Sequence, residues 1–161
     1  MRDSQIRFLR TLGIEGTQFP ATLYSALMFQ PRMVGFVLAL GVLLQSAWLF
    51  VALAAALWCG TVFPSLNPFD AIYNHVVARR RGLPPLDVAP APRRFAQGMA
   101  GSVAMIIAVA LLTQTTIVAW IFQGLFVVAS MGVAFRDSCA GADVYHLLKR
   151  LPRSRSASSR S

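Results

Sequence analysis

The stretch from Met33 to Phe63, MVGFVLALGVLLQSAWLFVALAAALWCGTVF, contains no charged residue and decides the fold class. As one helix it would measure roughly 46 Å at about 1.5 Å per residue, whereas a hydrocarbon core is about 30 Å thick. The polar pair Gln45 and Ser46 interrupts it, and Trp48 follows as an interfacial anchor. We therefore predict a helical hairpin that turns at this pair.

A second apolar stretch, from Phe95 to Phe135, is interrupted by the polar run from Thr113 to Thr116. With these two stretches the chain contains 56% hydrophobic and 13% charged residues, a composition that is not typical of a soluble protein. The first predicted helix covers only about 20 Å, so the depth of the first hairpin stays open. The four predicted helices are 33–45, 47–63, 96–112 and 117–135.

The distribution of positive charge selects between two topologies. All 15 Lys and Arg residues lie before the first stretch, between the two stretches or after the second. If each stretch crossed the membrane once, the middle cluster would lie opposite the terminal clusters, although short loops rich in Lys and Arg tend to stay cytoplasmic. Two hairpins place every cation and both termini in the cytoplasm. The net charge of +9 then faces anionic lipid headgroups, and such short clusters do not indicate nucleic acid binding.

The predicted fold is an all-α membrane protein, a four-transmembrane-helix bundle made of two helical hairpins with an interfacial amphipathic helix between them. The amino terminus carries charge where a signal peptide needs its apolar core, so we expect an uncleaved chain. The predicted segments are an N-terminal cytoplasmic or interfacial segment (1–32), the first hairpin (33–63), a basic cytoplasmic loop (64–95) holding the amphipathic helix 68–81, the second hairpin (96–135), a C-terminal interfacial helix (136–152) and a disordered basic tail (153–161).

The loop between the hairpins contains a helix start, N-P-F-D at 67–70. Asn suits the cap, Pro the first turn, and Asp the positive end of the helix dipole. Apolar residues then recur at three- and four-residue spacing, which predicts a helix lying in the cytoplasmic interface or, alternatively, packed on the bundle. The residues expected to contact lipid headgroups or the membrane interface are Arg79, Arg80, Arg81, Arg93, Arg94, Trp48 and Trp58.

Candidate chemistry is sparse. No Asp, Glu, Lys, Arg or His lies inside the four predicted helices, which disfavours an ion-coupled transporter. Gln123 is the polar side chain predicted to be buried, where it hydrogen-bonds a neighbouring helix or, in the alternative, a ligand. Neither a cofactor nor a metal site is predicted, because the 2 His and 2 Cys residues have no companions at ligand spacing.

Cys139 and Cys59 are the candidate redox thiols. Both are expected near the cytoplasmic surface, and Arg136 close to Cys139 would favour the nucleophilic thiolate. Asp137 and Asp143 oppose that effect, and an unpaired Cys behaves more often as a small packing residue. The sequence leaves both interpretations of the two thiols open.

Two short motifs carry a resemblance to a known family, R-R-F-A-Q at 93–97 and C-A-G-A at 139–142 ahead of Tyr145. With them, the run from Asn67 to Arg150 resembles an uncharacterised family of small bacterial membrane proteins, a domain of unknown function, and is similar to the DoxX and DoxD group of four-helix proteins. The family pattern has a second Cys where this chain has Ala142, so a two-thiol mechanism inside the motif is excluded here. The resemblance implies four helices and, through DoxX-type relatives, sulfur or quinone redox chemistry.

The leading hypothesis is a non-enzymatic accessory or scaffold protein of the bacterial inner membrane that holds anionic lipids or a protein partner at its cytoplasmic face. A homo-oligomer is compatible with this role, and the sequence favours no enzymatic activity. The first alternative is a membrane redox component in which Cys139, with Cys59, works with a thioredoxin-like or quinone-linked partner. The second alternative is a carrier for a neutral small molecule, which requires a polar cavity around Gln123 and Ser130.

Overall fold

The computed structural model describes residues 3–14, 21–136 and 140–150. Every regular element within these ranges is helical, which confirms the all-α prediction. The elements are α1 (Asp3–Thr11), α2 (Ala21–Leu27), α3 (Phe29–Leu44), α4 (Ala47–Val62), a 3-10 turn (Pro64–Leu66), α5 (Pro68–Ile72), a π-helical segment (Tyr73–Ala78), α6 (Arg79–Arg81), α7 (Ala91–Leu112), α8 (Thr116–Arg136) and α9 (Ala140–Arg150). The tail 153–161, predicted to be disordered, lies outside the described residues.

Three helical stretches are long and apolar enough to cross a membrane: Thr22–Leu44, Ala91–Leu112 and Thr116–Val133. The prediction of membrane helices is confirmed at this level. α4 is also apolar but has 16 residues. It measures about 24 Å, less than a hydrocarbon core of about 30 Å. α3 also has 16 residues and reaches spanning length only as part of Thr22–Leu44, together with α2. Both helices of the first hairpin are therefore shorter than α7 and α8, whereas the sequence predicts a short helix only at 33–45.

α3 begins earlier than the sequence analysis expected, at Phe29 instead of residue 33. α2 ends at Leu27, so a single residue separates the two helices. Pro31 is compatible with this start because it occupies the first turn, where backbone N–H groups have no partner within the helix. Residues 29–32 of the predicted N-terminal segment therefore belong to α3.

The long helices are joined pairwise by two short polar turns. In the first, Gln45 adopts a left-handed conformation with a φ of 46°, and the backbone N–H groups of Gln45 and Ser46 bond to carbonyl oxygens of α3. In the second, Gln114 has a φ of 56°, and the hydroxyls of Thr113 and Thr115 donate to carbonyl oxygens of α7. Both helix breaks lie at the polar interruptions from which the hairpins were inferred.

The interface between α4 and α7 is the most extensive in the described chain. α7 also contacts α8 and α9, and α3 contacts α4 and α8. Large apolar side chains fill the centre, led by Phe50, Leu57 and Ile107. The outer surfaces of the same helices are apolar too, with Trp48 and Val128 largely exposed. Helices that are apolar all round are typical of a membrane span.

One continuous helical stretch, Pro68 to Arg81, occupies the loop between α4 and α7. Asn67 caps it, because its side-chain oxygen accepts the N–H of Phe69. The Asn74 amide forms two hydrogen bonds with the backbone of Leu86. The Pro-rich segment that follows is thereby held against this helix.

Some residues of the apolar stripe of the loop helix are buried against the protein, and others are exposed. Phe69 and Tyr73 are buried, and the Tyr73 ring packs on Phe29 of α3 with ring centroids 5.7 Å apart. Ile72 and Val76 are exposed. Part of the helix thus packs on the long helices, and part of its apolar face is free to meet another surface.

Candidate functional site

A buried polar cluster joins three helices at the end of the molecule opposite the two turns. Arg93, in the first turn of α7, forms an ion pair with Asp70 of α5 and donates to Gln30 Oε1 at 2.7 Å. Gln97, one turn further along α7, donates to the same oxygen at 2.8 Å. All four side chains are buried. The cluster therefore ties the loop helix to α3 and α7.

Asn67 and Gly60 extend the cluster to α4. Asn67 Nδ2 donates to Asp70 Oδ2 at 2.9 Å. A Cβ added to Gly60 would lie 3.0 Å from Asn67 Oδ1 and 3.1 Å from Gln97 Oε1, tighter than ordinary van der Waals contact. Glycine at position 60 therefore allows both amides to lie against the backbone of α4.

The guanidinium of Arg93 fixes the orientation of two amides. Arg93 can only donate, so Gln30 must present its oxygen to it. Gln97 must then present Nε2 to that oxygen, which turns Gln97 Oε1 toward Gly60. Gln97 Oε1 is buried without a hydrogen-bond partner, beside the weak Cα–H donors of Gly60. An acceptor left in this state costs about 1–3 kcal/mol.

An apolar cavity of about 310 Å³ opens beside this cluster. Its polar lining is Gln30, Arg93, Gln97 and Ser130. Along α7 the lining residues recur at three- and four-residue spacing, so one face of that helix forms a wall. The remaining lining residues are Phe8, Leu12, Leu27, Pro31, Val34, Leu57, Ala96, Met99, Ala100, Val103, Phe122, Leu125, Phe126, Ala129, Val133 and Gly141.

The two motifs that carry the family resemblance lie against each other. A Cβ added to Gly141 would fall 2.7 Å from Ala96 Cα, so the start of α9 contacts the backbone of α7. Phe95 packs on Tyr145 with ring centroids 5.7 Å apart. The R-R-F-A-Q motif therefore builds both the polar cluster and the contact surface for α9.

A family model described as a domain of unknown function (DUF4395) matches residues 25–150, which include both motifs. The chain belongs to this family. No curated protein and no solved structure matches it. The relation of the DUF4395 family to DoxX and DoxD proteins stays a prediction.

Two of the arginines expected at lipid headgroups have protein partners in this member of the DUF4395 family. Arg93 is buried by its ion pair with Asp70. Arg94 is half-buried and donates from Nε and Nη2 to the Thr61 carbonyl oxygen at 3.1 and 2.9 Å. A cation suits that position because α4 ends there with unpaired carbonyls and a negative dipole end. Within the protein the partner of Arg93 is the carboxylate of Asp70, and lipid contact at these two arginines stays a prediction.

Gln123 is 1% exposed and pairs with Gln45, the residue of the first turn. Each amide donates to the other's oxygen, at 3.3 and 3.4 Å. The Gln123 amide is thus directed at a neighbouring helix end and does not line the apolar cavity, whereas Ser130 does. This contact between helices is the commoner role for a buried membrane glutamine.

The Gln45–Gln123 pair also relates the depths of the two turns. Gln123 lies seven residues beyond Thr116, where α8 begins at the second turn. Seven residues of helix rise roughly 10 Å. The first turn is therefore offset from the second by roughly 10 Å along the α8 axis.

One of the two candidate thiols, Cys59, lies among the described residues. Cys59 is free and half-buried near the end of α4, where its Sγ donates to the Leu66 carbonyl oxygen at 3.6 Å. Cys139 lies outside the described residues. Within the described ranges no group of three or more His, Cys, Asp or Glu residues could hold a metal ion.

The other residues predicted at the interface occupy three different environments. Arg79 to Arg81 are exposed at the end of the loop helix. Trp48 is exposed beside the first turn. The Trp58 ring packs against the middle of α7, since a Cβ added to Gly101 would lie 2.7 Å from Trp58 Cδ1. Lipid contact at these positions stays a prediction.

The sequence does not predict the polar cluster as a unit. It indicates only helix-start roles for Asn67 and Asp70, and it places Gln30 in the N-terminal segment. One signal was present: Arg93 and Gln97 are four residues apart, on one face at the start of an apolar helix. A buried cation requires an anionic partner. In this chain the carboxylate of Asp70 fills that role.

Proposed function

We propose that this chain is a multi-pass, non-enzymatic scaffold protein of the bacterial inner membrane, a four-helix bundle of two hairpins with both termini in the cytoplasm. The observation that carries the proposal is the segregation of charge. Neither turn, 45–46 nor 113–115, holds a charged residue, while the arginine clusters lie at the opposite ends of the same helices. Basic segments of this length are retained in the cytoplasm.

The short first hairpin is compatible with membrane insertion. Its turn bonds its own polar groups, because the N–H groups of Gln45 and Ser46 donate to α3 carbonyls and Gln45 Nε2 donates to the Val42 carbonyl oxygen at 2.6 Å. Backbone groups satisfied in this way tolerate a weakly hydrated environment. Local thinning of the bilayer over this hairpin accommodates the shorter α4.

The loop helix is the surface that we propose for a partner protein. The buried cluster around Arg93 and Asp70 holds it on the long helices, so it is a fixed platform. Its outer side carries Arg79 to Arg81 and the exposed apolar residues Ile72 and Val76. Adjacent cations and apolar groups fit a partner with an acidic, amphipathic surface, held close to anionic headgroups.

The scaffold role is tested by crosslinking in host cells from a photoreactive amino acid that replaces Arg80. We expect a protein adduct of discrete mass, and we expect it to disappear when Arg79→Gln and Arg81→Gln are added. The same photoreactive residue in place of Thr115, at the second turn, is the matched control and should not give that adduct. Absence of any discrete adduct from position 80, with the protein at its normal level, would contradict the scaffold role.

The redox alternative stays a prediction, because Cys139 lies outside the described residues, while Cys59 donates to the Leu66 carbonyl oxygen. The carrier alternative draws less support. The carrier required a polar cavity at Gln123 and Ser130, but Gln123 pairs with Gln45. The cavity beside the cluster is lined mainly by apolar side chains.

A further inference from the structure

We infer that the cavity between α3, α7 and α8 binds one acyl chain of an anionic phospholipid, with the phosphate held by arginines next to the cavity-lining segments. The inference rests on the proposed membrane location and adds a specific lipid site to it. Nothing in the scaffold role requires such a site.

The lining of the cavity selects a hydrocarbon occupant. Its volume of about 310 Å³ lies at the lower end of the range for ligand sites. Three of its four polar lining side chains are engaged with one another, since Arg93 and Gln97 both donate to Gln30. Gln97 Oε1 has no partner but is turned to Gly60 and buried. A polar headgroup inside the cavity would find few free partners, whereas a methylene chain needs none.

The cavity has a rim on the lipid-facing surface. Met99 of α7 and Leu125 of α8 both line it, and they are 38% and 59% exposed. A chain can therefore enter sideways from the bilayer without opening the helix packing. The deeper wall includes Phe126 and Ala100, which are less exposed.

Two arginines that neighbour lining residues in the sequence favour a lipid with an anionic headgroup. Arg32 follows the lining residue Pro31, and Arg7 precedes the lining residue Phe8. Both arginines are exposed. Among the described residues the one ion pair is Arg93–Asp70, so neither Arg7 nor Arg32 is paired with a carboxylate there. Guanidinium groups bind phosphate through charge-assisted hydrogen bonds. An anionic phospholipid satisfies this charge and supplies the chain.

The test uses fluorescence quenching by phospholipids with brominated acyl chains. The reporter is Phe126→Trp in a background of Trp48→Phe, Trp58→Phe and Trp120→Phe, purified in detergent. We expect brominated phosphatidylglycerol to quench this tryptophan saturably at a few lipids per protein. The control reporter, Val128→Trp, lies on the same helix at a position that is 70% exposed, and its quenching should rise with lipid fraction without saturation.

Two further variants test the site itself. Ala100→Leu fills the cavity and should abolish saturable quenching of the tryptophan at position 126. Quenching of the tryptophan at position 128 should not change. Arg32→Gln should raise the half-saturating concentration of brominated phosphatidylglycerol about fivefold. The half-saturating concentration of brominated phosphatidylcholine should not change. Should Phe126→Trp fail to fold, Phe122→Trp reports from the same wall.

Quenching that never saturates at position 126 or 122, or that survives Ala100→Leu, would overturn the chain site. Equal half-saturation for the two headgroups would overturn the choice of an anionic lipid. These measurements are made in detergent and concern only the cavity. A failure here is therefore distinguishable from a failure of the scaffold role, which is measured by crosslinking in cells.

Discussion

Gly141 lies directly against Ala96, so closely that a Cβ on Gly141 would stand 2.7 Å from both the Cα and the Cβ of Ala96. Ala142, the next residue, is fully buried beside Phe8 and Leu12. α9 is therefore seated on α7 and α1 by small side chains. Position 142, where the resemblance implies a second Cys, is enclosed in this contact and is a packing position in this chain.

The close contact predicts that Gly141→Ala separates α9 from α7. The added methyl group meets backbone atoms that cannot move aside, and overpacking of this kind costs typically 1–3 kcal/mol. We expect a lower thermal unfolding midpoint in detergent and faster proteolysis between α8 and α9. Gly124→Ala is the control, since a Cβ there meets nothing within 4 Å. Equal behaviour of the two variants would contradict the close seating of α9.

The buried ion pair predicts strongly unequal effects of single and double substitutions. Arg93→Met or Asp70→Leu alone leaves an unpaired buried charge and should lower the free energy of unfolding by about 3–5 kcal/mol. The double variant removes both charges and should recover most of the loss. Chemical denaturation in detergent measures all three. Additive losses in the double variant would show that the two side chains do not interact as described.

In the proposed topology, with both turns facing outward, the offset between the turns predicts unequal access of a thiol reagent from outside the cell. Single-cysteine versions with Ser46→Cys and Gln114→Cys, both in a Cys59→Ala, Cys139→Ser background, are treated with a membrane-impermeant thiol reagent. Gln114→Cys should label readily, while Ser46→Cys should label much more slowly because its turn lies roughly 10 Å deeper. Equal labelling rates would contradict the depth difference inferred from the Gln45–Gln123 pair.

The non-enzymatic account predicts ordinary thiols. Cys139 alone and Cys59 alone should alkylate at neutral pH no faster than a free cysteine peptide, and an oxidant should not crosslink them in the native chain. Mass spectrometry of the alkylated protein measures both rates. Fast alkylation of Cys139, together with a Cys59–Cys139 disulfide, would favour the redox component.

The features that the sequence predicted are local ones. The apolar stretches identify the membrane helices, the pair Gln45 and Ser46 marks a helix break, and Asn67 caps the loop helix as its neighbours suggest. Each of these depends on residues within a few positions of each other. Local preference is sufficient where no distant contact opposes it.

The polar cluster could not be predicted because its partners are distant in sequence. Arg93 reaches Asp70 across 23 positions and Gln30 across 63. Nothing in the neighbourhood of Gln30 distinguishes it from a surface residue, and its burial depends on how α3 meets α7. The cavity is equally nonlocal, since its walls come mainly from α3, α7 and α8, with residues of α1, α2, α4 and α9 completing them. Its existence follows from helix packing, which periodicity does not determine.

The central claim, that both charge-free turns face outward and all basic segments face the cytoplasm, is tested most directly by thiol labelling in two orientations. Cys139 as the single cysteine, Arg80→Cys and Gln114→Cys are each treated with an impermeant reagent in intact cells and in inverted vesicles. The account predicts labelling of Gln114→Cys in intact cells only, and labelling of Cys139 and Arg80→Cys in inverted vesicles only. Labelling of Cys139 or Arg80→Cys from outside would contradict the double-hairpin topology and place Cys139 in an oxidising compartment.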